Sequence, residues 1–85
     1  MTESDVADSI LGFIRSEIAY PGTEVGVQDD LFDSGVLDSL KLLQLVLHIE
    51  TAYPITVAAE DLDPAVFGRV GSLSAFVMRK IERRP

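Results

Sequence analysis

The segment DSGVLDSLKLL, residues 33–43, sets a serine hydroxyl between an aspartate and the first leucine of a leucine-rich run. A serine there can be a nucleophile activated by a neighbouring base, or a hydroxyl presented for modification by another protein. It can also be chemically idle, since Ser and Asp are favoured helix N-caps. Self-activation is poorly supported. Ser39 has no G-x-S-x-G elbow around it. The one histidine, His48, sits in the middle of the same helical run among polar neighbours, which suits an exposed surface position.

Other chemistries fare no better. With no cysteine there is no disulfide frame, thiolate metal site or thiol nucleophile. Asp29-Asp30 reads as loop solubility or a cap, and Asp33, Asp38, Glu60 and Asp61 lack the spacing of a calcium loop. There is no glycine-rich phosphate loop. No catalytic residue and no metal ligand set is therefore assigned. A modified serine does suit the position, because the free N–H groups and dipole of a helix start tolerate a phosphate ester. Asp38 beside it could orient or present it. Spacing alone permits the modified serine without demanding it, and favours a plain cap.

Three main helices and one short one must position Ser39. Val6, Ile10, Phe13, Ile14 and Ile18 recur at helical spacing and predict a first helix from Ser4 or Asp5 to Ala19, stopped by Tyr20-Pro21-Gly22. A long loop follows, in which Leu31-Phe32 looks pinned to the core. Loops of this length inside small domains tend to be functional. A second helix is expected from Ser39 to Ala52 or Tyr53, before Pro54. At about 100° per residue, Lys41, Gln44, His48 and Thr51 share one arc of it. Leu40, Leu42, Leu43, Leu45, Val46, Leu47 and Ile49 fill most of the rest, which predicts burial on several sides, Leu40 included. A short piece around Asp63 to Phe67 takes Pro64 at its first position. Ile55, Val57 and Leu62 read as anchors. Ser72 is expected to cap a last helix with Leu73, Phe76, Val77 and Ile81 on one face. No convincing strand alternation appears, so the fold class is all-α, a small four-helix bundle.

Size and charge narrow the function. Eighty-five residues make one domain, 1–85, with room for one core and little else. The 47% hydrophobic content argues that it folds, and the absence of any apolar run near ~20 residues argues against membrane insertion. The acidic N-terminus MTESDVADS does not resemble a signal region, so a cytoplasmic monomer is expected. Thirteen of the fourteen acids lie in residues 1–63 against Arg15 and Lys41 alone, a net of −11. Residues 64–85 carry five basic residues against Glu82, a net of +4. An acidic body repels phosphate backbones and excludes nucleic acid as the natural partner.

The stretch LFDSGVLDSLKLLQL, residues 31–45, resembles the attachment segment of acyl carrier proteins, in which a D-S-L motif opens the second helix. The resemblance extends to the acidity, the long first loop, the short third helix and HIETAYPITV closing helix two. It implies an acyl-carrier-type bundle, not itself an enzyme, with 4′-phosphopantetheine transferred from coenzyme A to Ser39. Asp38 and Leu40 would complete the motif read by the transferase, and a thioester on the terminal thiol would hold the cargo. Fatty-acid carriers usually show an acidic stripe after the serine; here it is Lys41, Gln44, His48 and Thr51. LFDSGVLDSL and DLDPAVF look more like D-alanyl and related free-standing aminoacyl or acyl carriers. The partners implied are a phosphopantetheinyl transferase, an adenylating acyl or aminoacyl ligase, and a downstream acyltransferase or synthase. Val36, Leu37, Lys41, Gln44, Leu62 and Val66 are the expected contact surface. The alternative is a helical interaction module in which Ser39 only caps a helix.

Overall fold

A computed structural model describes residues 2–83. Four α-helices occur in the order α1 (Glu3–Phe13), α2 (Ser39–Ala52), α3 (Pro64–Phe67) and α4 (Val70–Glu82). There is no strand among the described residues. The expected all-α bundle with a long first connection is what the chain forms.

Helix α1 begins earlier than its apolar period suggests, because Thr2 caps it. The Thr2 hydroxyl accepts from the Asp5 N–H at 3.1 Å and the Asp5 carboxylate accepts from the Thr2 N–H at 3.0 Å, a capping box. That N–H bond leads the effects that hold the Asp5 carboxyl below its ordinary pKa. The helix then widens into a π-helical turn over Ile14–Ile18, closed by Ala19 N–H on Ile14 C=O at 2.7 Å. Such turns are uncommon and have no simple sequence signature. Ile14 and Ile18 remain buried across it, while the Arg15 guanidinium reaches the loop and donates twice to Val25 C=O, at 2.7 and 3.2 Å.

Helix α1 packs on α4, and α3 packs on α4. Ile10, Ile14, Leu45, Ile49, Phe67, Leu73 and Val77 are among the fully buried side chains. Residue 72 is not the cap of α4. That helix starts two residues earlier, and Ser72 Oγ instead donates to Val66 C=O at 2.7 Å and Arg69 C=O at 3.0 Å, tying α3 to α4. A short 3₁₀ turn, Ala59–Asp61, precedes α3. Asp61 accepts from Ala58 N–H at 2.9 Å and pairs with Lys80 at 3.3 Å, which locks that turn onto α4. Ile55 and Val57 do pack on the core, but Leu62 is exposed.

Helix α2 departs most from expectation. Leu45, Val46 and Ile49 are buried, yet Leu40, Leu47 and Leu43 are 68%, 57% and 54% exposed. At about 100° per residue these three lie within roughly 60° of one another, opposite Ile49. The helix therefore buries one side only, and Leu40 is not a core anchor.

Candidate functional site

The long loop delivers the start of α2 as a built platform. Leu31 and Val25 are buried and Phe32 is partly so. Leu31 N–H donates to Gly68 C=O at 2.7 Å and Gly71 N–H donates to Val27 C=O at 3.0 Å, so the loop is stitched to the α3–α4 corner. The Asp30 carboxylate accepts from the N–H groups of Phe32 and Asp33 at 3.1 and 2.9 Å, which makes it a turn cap. The turn is completed by Gly35 at φ +82°, a left-handed conformation that glycine adopts without strain. Leu37 N–H then returns to Leu31 C=O at 2.9 Å. Val36 and Leu37, expected on the contact surface, are buried at 7% and 4% exposure. They are the pegs that hold the chain one step before the helix: two consecutive apolar residues, both taken into the core where the loop closes on Leu31.

Asp38 is the N-cap of α2, with extended backbone and a carboxylate accepting from Lys41 N–H at 2.9 Å. Its carbonyl accepts from Leu42 N–H at 2.8 Å. Ser39 is thus the first helical residue, exposed, and relieved of the capping role. The N–H groups of Ser39 and Leu40 are among those at a helix start that have no intrahelical carbonyl to meet. A phosphate ester on Ser39 fits this environment, facing free donors and the positive end of a 14-residue helix.

The polar arc of α2 is not a free solvated stripe. His48 stacks on Phe13, ring centroids 3.8 Å apart and 5° from parallel. One turn-pair earlier, Lys41 Nζ lies 4.5 Å from the centre of the Tyr20 ring. Phe13 and Tyr20 are seven residues apart, as are Lys41 and His48, and the pairs run in opposite order along the two segments. The flank of α2 is thereby zipped antiparallel to the first helical segment. His48 Nε2 is buried with no hydrogen-bond partner among the described residues, and desolvation pushes the ring's pKa below its ordinary value. His48 is a packing residue, not an exposed one. Periodicity could not show this, since Phe13, the aromatic that receives it, lies 35 residues earlier.

Of the residues expected at the site, Asp38, Ser39, Leu40, Gln44 and Leu62 are exposed, Lys41 and Val66 are half-buried, and Val36 and Leu37 are internal. The exposed leucines Leu43 and Leu47 were not anticipated there. Beside the start of α2 lies a cleft of about 170 Å³, with Tyr20 and Thr23 on one side and Ser34, Gly35, Val36 and Lys41 completing it.

Comparison with known proteins gives the family. The family model described as "phosphopantetheine attachment site" matches residues 8–77. A D-alanyl carrier protein of Streptococcus suis (strain 05ZYH33) is 35% identical over 65 residues, spanning 76% of this chain and 75% of the relative. A D-alanyl carrier protein of Streptococcus mutans is 32% identical over the same shares. One from Lactococcus lactis (strain MG1363) is 28% identical over 53 residues, 62% of this chain and 67% of its own length. With the match covering most of the helical bundle, the chain belongs to the phosphopantetheine-attachment family of carrier proteins, and within it is similar to the D-alanyl carriers.

Proposed function

We propose that Ser39 is the residue to which the arm is joined. A member of this family bears 4′-phosphopantetheine covalently and is a substrate of other enzymes, not a catalyst. The observation that carries the assignment is the capping geometry: Asp38 supplies the cap, so the neighbouring hydroxyl stands exposed with no task inside the fold. In the attachment step the Ser39 oxygen displaces adenosine 3′,5′-bisphosphate from the pyrophosphate of coenzyme A. A phosphodiester forms, and the hydroxyl proton passes to a base of the transferase. When bound, the arm supplies a thiol for a thioester with the cargo. Asp38 and Leu40 flank the hydroxyl as the features the transferase would read. Leu40, Leu43, Gln44 and Leu47 offer the exposed side of α2 to a ligase and a downstream acyltransferase. Names of the relatives support a small aminoacyl cargo such as D-alanine on this chain.

Incubation with coenzyme A and a broad-specificity phosphopantetheinyl transferase is expected to add one arm by intact mass, and none to Ser39→Ala. The loaded form is then expected to take D-alanine from a D-alanine-adenylating ligase and ATP. Modification surviving in Ser39→Ala would remove the site; a holo protein that refuses alanine but accepts long acyl chains would remove the cargo reading.

A further inference from the structure

We propose that His48 is a proton-operated latch on the seam between α2 and α1. Taking up a proton drives its ring off Phe13 and toward water, and the flank of the helix that begins at Ser39 loosens. The latch belongs to the bundle itself and works whether or not Ser39 bears an arm. Three observations carry it.

The first is a nitrogen with nowhere to put a charge. The His48 ring lies flat on Phe13, centroids 3.8 Å apart and planes 5° from parallel, and its Nε2 is buried with no hydrogen-bond partner among the described residues. Neutral imidazole carries one N–H and imidazolium two, so the charged ring must place an N–H at Nε2. An ionised donor buried without an acceptor costs more than a neutral one. Stacking the cation on a phenylalanine face returns less than that, phenylalanine being a weaker platform than tryptophan. The stacked ring and the charged ring therefore exclude each other.

The second is the lack of a counter-charge that could hold the proton in place. No residue three or four positions from His48 on α2 is ionisable. Glu50 is turned away onto Val57 N–H, and Lys41, two turns earlier, lies over Tyr20. On the facing segment, Glu17 is the ionisable residue three or four positions from Phe13, and it is exposed; the Arg15 guanidinium is bonded to Val25 C=O. Desolvation alone acts on the ring, in the direction that resists the proton.

The third is leverage. Helices α1 and α3 pack on α4, whereas this flank of α2 meets the first helical segment through the His48–Phe13 and Lys41–Tyr20 contacts. Tyr20 is 75% exposed, so the histidine stack closes the inner part of the seam. Leu45, Val46 and Ile49 keep the other side of α2 in the core, which confines the release to the flank.

The test is an NMR titration of the protein from about pH 8 to about pH 5, a range that spans the ordinary histidine value. Ring ¹⁵N shifts report the proton on His48. Nuclear Overhauser cross-peaks between the His48 and Phe13 rings are expected at the upper end and should vanish as the ring charges, with a midpoint below that of free histidine. Amide resonances of Gln44 and Thr51 should move with the same midpoint and stay still in His48→Phe, which keeps the stack and cannot titrate. Methyl resonances of Leu45 and Ile49 should keep their folded dispersion. Cross-peaks that persist on the charged ring, a midpoint at or above that of free histidine, or equal amide movement in His48→Phe would overturn the latch. So would methyl dispersion that collapses with the same midpoint, since the whole fold and not the flank would then answer to the proton.

Discussion

With Asp38 accepting the Lys41 N–H at 2.9 Å, the adjacent serine is surplus to the helix start, and the two residues should respond differently to truncation. Asp38→Ala removes the cap and is expected to cost about 1 kcal/mol. Ser39→Ala should fall within about 0.5 kcal/mol of wild type, since alanine is a better helix residue than serine and no capping bond is lost. Urea midpoints decide it; a larger loss at Ser39 than at Asp38 would return the serine to a merely structural role. His48 is the other residue whose state matters. Its stacked, desolvated ring takes up a proton less readily folded than unfolded. A depressed histidine pKa contributes stability that is present above the ordinary value near 6.5 and lost as pH falls through it toward the folded value. Lower pH also relieves repulsion among fourteen acids, so wild type must be compared with His48→Gln. The stability advantage of wild type is expected to shrink between about pH 7.5 and about pH 5. The carboxyls of Asp5 and Asp61 lie below their ordinary values, so their contributions are lost in a more acidic window. An unchanged difference would mean that His48 stays solvated.

The long first loop behaves as an element in its own right. Leu31 is its central peg, wholly buried, with its N–H on Gly68 C=O and its C=O receiving Leu37 N–H. Leu31→Ala is expected to cost about 2–5 kcal/mol by the usual range for an emptied core site, a lowered urea midpoint being the measurement. A loss below about 1 kcal/mol would show that the loop is draped over the bundle and does not belong to it. The pinned Leu31-Phe32 pair and the four helices were legible because each follows from local rules: apolar spacing, proline at a helix start, glycine and proline at stops. What the sequence left open was always a choice between near-equivalent neighbours. Asp38 and Ser39 are both good caps, and only the backbone angle at residue 38 separates them. Seven apolar residues around α2 leave its inward side undecided until Leu45 and Ile49 meet their neighbours. The π-helical turn at Ile14–Ile18 has the same apolar spacing as an ordinary helix end.

At the scale of the molecule, a radius of gyration of 11.9 Å matches a single folded body of this length, and no described helix is long and apolar enough to cross a membrane. Thirteen of the fourteen acids are spread over residues 1–63, yet α2 exposes Leu40, Leu43 and Leu47, with Glu50 as its one acid. Glu50 is turned away to accept from Val57 N–H at 2.9 Å. Charge can still hasten encounter with a basic enzyme, but the contact made by this face must be apolar. Covering two half-exposed leucines is worth about 1 kcal/mol each on the scale of side-chain burial, which together is roughly a tenfold to thirtyfold change in affinity. Leu43→Ser with Leu47→Ser is therefore expected to raise the KM of a cognate ligase for the holo protein by about that factor, with kcat little changed. Both side chains already face solvent, so the urea midpoint should barely move. Raising ionic strength should weaken wild-type binding far less than the double substitution does, since an apolar contact is not screened. A KM indifferent to both leucines but steeply dependent on salt would mean that partners read the acidic body and leave the leucine face bare.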